Sequence, residues 1–298
     1  MSLMAEEIAP ILRRAFIRNG YRAPHKAWTY YWRSMFWIHN ETVNIWTHSM
    51  PMFWFLARLY YDSRVLFEQH FWPALLLYVV TICLLLGSTV AHLFHSRSRV
   101  DHFFWWNMDF LGISLFIVGI GVQRFHSSAG PESMQSVYIP LLVVLCMLHF
   151  SANSYLFVKH TFWKRRAFVR MLTCLAITAY LYIPLIPRYV RSVEADAGLH
   201  SHSLAFFWLF VAGIFMGCSI PERLKPGTFD LLGYGHQLFH VCILMVNHYL
   251  IEAALWDCDH RLMQISASWQ SLVAPVALVA LFDCIVIAVL IGGERNKE

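Results

Sequence analysis

The chain has 298 residues, of which 58% are hydrophobic and 14% charged, with a formal net charge of +5. Soluble domains run near a quarter charged, so this composition excludes an ordinary water-soluble globule and indicates a polytopic membrane protein. Seven cysteines without a C-x-x-C pair, most of them inside apolar stretches, exclude a disulfide framework and a thiolate metal site.

Residues 1–40 read as a cytoplasmic and interfacial segment. Ile8, Ile11, Leu12, Ala15 and Phe16 recur at helical spacing beside Arg13, Arg14 and Arg18, and an aromatic and basic run from Trp28 to Trp37 follows. Such mixtures favour the headgroup layer, with rings at the boundary and cations in water, so a helix lying on the membrane is expected. An amphipathic arm in solution is the alternative. These first forty residues carry charge in place of an apolar core, so no signal peptide is expected.

Eight apolar stretches follow, at 42–60, 72–95, 104–124, 136–158, 168–187, 203–220, 234–254 and 269–292. Each approaches the roughly 20 residues that cross a bilayer core. The expected fold is an all-α membrane protein: an interfacial segment over 1–40, a seven-helix transmembrane core over 41–255, and an outer loop, eighth span and cytoplasmic tail over 256–298. Alternate loops are rich in Lys and Arg. One side collects Arg13, Arg14, Arg18, Arg22, Lys26 and Arg33, then Arg97, Arg99, Lys159, Lys164, Arg165, Arg166, Arg170, Arg223, Lys225, Arg295 and Lys297. The other holds only Arg58, Arg64, Arg124, Arg188, Arg191 and Arg261. The positive-inside rule therefore puts the N-terminus in the cytoplasm. In that topology the sequon Asn40-Glu-Thr42 is hidden from glycosylation, and His70, His126, His200, His202 and His260 fall in solvated outer loops.

These directions sort the polar residues of the spans by depth. Ser88 and His92 fall near the cytoplasmic end of the second span, Asp109 one to two turns above the start of the third, and His236 and His240 at the start of the seventh. His236 and His240, four apart, stack on one helical face and can grip one metal ion, or can be satisfied interfacial residues. Three imidazoles with one open position suit zinc, so His92, His236 and His240 are candidate ligands. Asp109 is placed to orient or deprotonate a metal-activated water, and Ser88 to hydrogen-bond it. The plainer alternatives are that Ser88 back-bonds to its own helix and that Asp109 pairs with an Arg. Glu41, Asn44 and His48 share one face of the first span, as groups supporting the metal ligands or as an interhelical polar seam. Asp283 in the eighth span is an isolated acid without an assigned role. Haem ligation fits these residues less well than zinc. A rhodopsin-like receptor would need the opposite topology, and a transporter two repeated halves.

Three blocks carry a family resemblance: His39-Asn-Glu-Thr-Val-Asn-Ile-Trp-Thr-His48; Ser88-x-x-x-His92 followed by Met108-Asp-Phe110; and His236-Gln-Leu-Phe-His240. In order and spacing they resemble the signature motifs of the progestin and adipoQ receptor family, over residues of about 20 to 255. The segment Pro221–Phe229 and the eighth span resemble its membrane progestin receptor branch. The resemblance implies a seven-helix core with zinc on His92, His236 and His240, and Ser88 and Asp109 beside the metal water. It also implies rapid non-nuclear signalling by progesterone-like steroids through heterotrimeric G proteins, from the plasma membrane. The adiponectin branch implies the alternative, a zinc-dependent ceramidase releasing sphingosine. The expected partners are a steroid or sphingolipid, membrane lipids and a G protein, with no nucleic acid.

Overall fold

A computed structural model describes residues 2–127, 134–163, 165–191, 196–260 and 268–296. Among the described residues the regular elements are all helices, apart from one isolated antiparallel bridge between Leu3 and Tyr21. A short helix α1 (Trp28–Ser34) precedes α2 (Thr42–Glu68), α3 (Trp72–Phe94), α4 (Arg99–His126) and α5 (Gln135–Lys159). There follow α6 (Arg166–Tyr182), α7 (Ile186–Arg191), α8 (Ala197–Cys218), α9 (Gly235–Asp259) and α10 (Trp269–Arg295). A 3-10 turn at Ile183–Leu185 joins α6 to α7, so that 168–191 forms one span.

Among the described residues, seven helices are long and apolar enough to cross a membrane, and α10 is one of them. α2 is the long helix that misses this threshold. Its 27 residues reach about 40 Å, more than the roughly 30 Å hydrocarbon core, and its far end is polar. There Arg58 pairs with Asp62 at 3.3 Å and with Glu252 of α9 at 2.5 Å, and Arg64 with Glu68 at 2.9 Å.

α3 is the most enclosed span and sits between α2, α4 and α9, with α10 touching it. Small residues set its approach to α4. A Cβ on Gly87 would lie 2.9 Å from the Met108 carbonyl, one on Gly112 3.0 Å from Leu84 Cα, and one on Gly119 2.6 Å from Val80. Close backbone approach of this kind substitutes for the hydrophobic drive that lipid cannot supply. α10 packs on α4 and α5 through Ile287, Leu290 and Ile291. It also buries Asp283, whose carboxylate oxygens have no hydrogen-bond partner among the described residues; Ser114 and Cys146 lie nearby.

Residues 8–16 depart from the expected surface helix. Pro10 and a left-handed Phe16 (φ 65°) restrict the chain to 3-10 turns at Ala5–Glu7 and Pro10–Leu12. Ile8, Leu12, Ile17 and Tyr21 then pack against Tyr234 as a small core of their own. The helix of this segment is α1, within the aromatic run, where Trp28, Trp32, Phe36 and Trp37 are exposed. Asn40 of the sequon is buried.

Two of the five histidines expected in solvated loops are also placed differently. His126 is buried at the end of α4. His202 is fully buried in α8, because that helix begins at Ala197, well before residue 203. Its Nε2 lies 3.3 Å from Asp257 Oδ2, and Arg188 Nη1 donates to the other oxygen at 2.9 Å. His70, His200 and His260 are exposed. Lys164, Arg261 and Lys297, counted among the loop charges, lie outside the described residues.

If the α3–α4 approach is as tight as these distances indicate, Gly87→Val should cost about 1–3 kcal/mol through overpacking and lower the thermal midpoint in detergent. Gly213→Ala, with no neighbouring atom within 4 Å, should leave that midpoint unchanged.

Candidate metal centre

The site is assembled at the end of the bundle that the N-terminal segment covers. α9 begins immediately after Gly233, whose φ of 85° only glycine adopts without strain. Its first turn is clamped: Glu222 accepts from Gly235 N at 2.6 Å, and Gln237 Nε2 donates to the Leu231 carbonyl at 3.0 Å. Gly235 itself is obligatory, since a Cβ there would lie 2.7 Å from the Ile220 carbonyl. These contacts fix where His236 and His240 leave the helix.

His92 is positioned from the C-terminal end of α3. Arg22 reaches in from the N-terminal segment and donates to the His92 carbonyl at 2.7 Å and the Leu93 carbonyl at 2.6 Å. It satisfies carbonyls that a helix end leaves open, with a cation where the helix dipole favours one. Burial pushes the Arg22 guanidinium down to about 10, which leaves it charged at neutral pH. Charge-assisted hydrogen bonds are worth about 1.5–3 kcal/mol each, enough together to offset much of that burial.

The three imidazoles converge. Ring centroids are 5.1 Å apart for His92–His236, 4.9 Å for His92–His240 and 4.6 Å for His236–His240. One ligand atom from each lies within 4.8 Å of the others. The outward nitrogens fix the tautomers. His92 Nδ1 meets Glu41 Oε2 at 2.7 Å. His240 Nδ1 meets Thr47 Oγ1 at 3.0 Å, and that hydroxyl spends its proton on the Asn44 carbonyl, so the imidazole donates. His236 Nδ1 faces the Met216 thioether at 3.3 Å. Each Nδ1 thus faces a protein partner, and the Nε2 atoms of His92 and His236 turn towards each other, 3.2 Å apart. Lone pairs held face to face repel unless a cation lies between them. Tetrahedral zinc with nitrogen ligands at 2.0–2.1 Å needs ligand atoms about 3.3 Å apart, so the donor set fits that ion.

Glu41 supports this arrangement. Besides His92, it accepts from Asn44 Nδ2 at 2.6 Å and pairs with Arg14 at 3.4 Å. Asn44 also contacts the Tyr234 hydroxyl, which donates to the Asn40 carbonyl at 2.8 Å. His48 does not point at the cluster; it stacks on His240 at 3.7 Å with its ring 13° from parallel. Asp109 and Ser88 lie next to each other across α3 and α4, outside the set of converging ligand atoms, with Arg170 of α6 within electrostatic range. Glu41, His92 and His95 form a second close group, and His95 Nδ1 is 3.2 Å from His102 Nδ1. Arg14 already neutralises the one carboxylate there, which disfavours a second cation.

Sequence reasoning missed Thr47, His95, Trp106, Tyr234 and Arg22. The first two carried a local signal, Thr47 one residue from His48 and His95 three after His92. Trp106, whose ring lies 4.9 Å from that of His92, and Arg22 carried none.

An all-α membrane bundle with a buried three-histidine cluster is the class that this fold and site define. The chain belongs to the family described as haemolysin-III related, whose pattern matches residues 36–251 and so contains all three sequence blocks. It is similar to membrane progestin receptor alpha of Sus scrofa, 27% identical over 265 residues, covering 86% of this chain and 75% of that protein. Membrane progestin receptor gamma of Mus musculus is 28% identical over 297 residues, covering 94% and 88%. Membrane progestin receptor beta of Homo sapiens is 26% identical over 270 residues, covering 86% and 75%.

Glu41→Gln keeps the shape of the carboxylate but loses its charge. It should weaken metal retention roughly 10- to 100-fold, the usual cost of losing a group that orients a ligand. Competition with a chelator measures this, and unchanged retention would show that Glu41 does not orient His92.

Proposed function

We propose that the chain is a membrane progestin receptor-like protein mediating rapid, non-nuclear steroid responses through a seven-helix core, residues 41–255, that holds zinc on His92, His236 and His240. The observation that carries the metal assignment is the convergence of three buried imidazoles, with each Nδ1 beside an outward partner and the Nε2 atoms of His92 and His236 3.2 Å apart. The printed names of the relatives support the steroid ligand. When bound, the ion supplies Lewis acidity and a clasp between α3 and α9.

The chain's own residues do the rest. Glu41 holds the Nδ1 proton of His92, and Thr47 that of His240. Asn44 and Tyr234 fix the carboxylate, and Trp106 walls the cluster from water. A steroid needs a mostly apolar pocket with a few fixed polar groups, which a bundle with 23 Phe and 12 Trp can line. The loop charges support a cytoplasmic N-terminus, with residues 1–40 on the inner surface and 256–298 comprising an outer loop, the eighth span and a cytoplasmic tail. A plasma-membrane location and coupling to a heterotrimeric G protein complete this reading.

One arrangement favours a second reading, a zinc-dependent amide hydrolase acting on ceramide. Asp109 and Ser88 face each other one helical turn from His92. On this reading Asp109 takes a proton from the attacking water, and Ser88 holds the substrate carbonyl.

Elemental analysis of the purified chain should find zinc near one equivalent, lost in His240→Ala. Progesterone binding that survives His236→Ala identifies a receptor whose metal is structural. Sphingosine release from ceramide, abolished by chelation and by Asp109→Ala, identifies the hydrolase instead. Absence of bound metal in a folded preparation would sink both.

A further inference from the structure

A cleft of about 250 Å³ opens at the metal-site end of the bundle, where α5 ends and α4 begins. Arg99, Lys159, His160 and Thr161 line it, with Ile11 of the N-terminal segment and Trp163 at its edges. We propose that this cleft binds the phosphate headgroup of an anionic phospholipid in the leaflet beside the N-terminal segment, a site separate from the histidine cluster.

The charge balance is the first support. Among the described residues, Glu294 of α10 is the carboxylate that pairs with the cations of the cleft, 2.8 Å from Lys159 Nζ and 3.2 Å from Arg99 Nη2. Two cations share it, and both remain partly open, with side-chain exposures of 30% for Lys159 and 52% for Arg99. The following described residues add Arg165 and Arg166 with no Asp or Glu beside them in sequence. Arg166 packs its guanidinium on Phe157 at 5.4 Å, and its buried Nη1 has no hydrogen-bond partner among the described residues. Among the described residues the segment carries more cations than the carboxylate that faces them, and an anion complements the excess.

The second support decides between a lipid and a soluble anion. Phe162 is 73% exposed and Trp163 45%, directly beside the cations. Phe168, at the start of the next span, is 57% exposed. Exposed rings alternating with cations at a helix end are placed as an interfacial belt, with rings at the headgroup level and cations reaching for phosphate. A soluble phosphate would use the cations and leave these rings in water. A phospholipid uses both.

Native mass spectrometry of the full chain, released from micelles doped with equal amounts of phosphatidylcholine and phosphatidylinositol 4-phosphate, tests the proposal. The wild type should retain the anionic lipid selectively. Lys159→Gln should reduce retention by roughly five-fold, the effect of one cation at an anionic surface. His160→Glu adds a negative charge at an exposed position away from the Glu294 pairs, and should reduce it further with an unchanged melting temperature. Equal retention of both lipids, or retention unaffected by either variant, overturns the site. Displacement of the lipid by soluble inositol bisphosphate at lipid-like concentrations overturns the membrane source.

Discussion

A single carboxylate holds the polar centre of this protein together. Glu41 lies 3% exposed at the head of α2 and receives an imidazole from α3, an amide from α2 and a guanidinium from the N-terminal segment. An unpaired buried charge costs several kcal/mol, so these partners are conditions of its burial. Its placement dictates the rest: the tautomer of His92 follows from it, and from that tautomer follows the inward lone pair. Three segments distant in sequence must arrive together before the cluster exists.

Much of the architecture was legible because lipid imposes a simple rule. Backbone polar groups in hydrocarbon must be satisfied within the helix, so long apolar runs become helices, and the limits read for the third to fifth stretches fall close to α4, α5 and the span at 168–191. The meeting of His92 with His236 and His240 was also within reach, because alternating helix directions place those depths together. What stayed hidden depended on contacts between segments far apart in sequence. Arg22 caps a helix some seventy residues away, and Thr47 orients a ring 193 residues away. The N-terminal segment misled because apolar spacing alone does not register the stop that Pro10 imposes.

Loop boundaries were the other weak point, and His202 shows the reason. A polar stretch before an apolar run reads as loop, yet Asp196 accepts from Leu199 N and starts α8 at Ala197, more than a turn and a half earlier. That extension carries His202 into contact with Asp257, whose other partners are Arg188 and Gln123. The bundle thus has a buried polar knot at each end, one centred on Glu41 and one on Asp257. Between them lies apolar packing, with Gly87, Gly112 and Gly119 bringing α3 and α4 together.

The N-terminal segment has one further consequence. Its Arg22 holds the end of α3, while its Arg18 and Asn19 amides bind Asp230 in the connection that leads to α9. It therefore spans both jaws of the histidine cluster like a strap across a hinge. Anything that pulls the strap, whether a bound protein or a proteolytic cut, slackens the two jaws in the same instant.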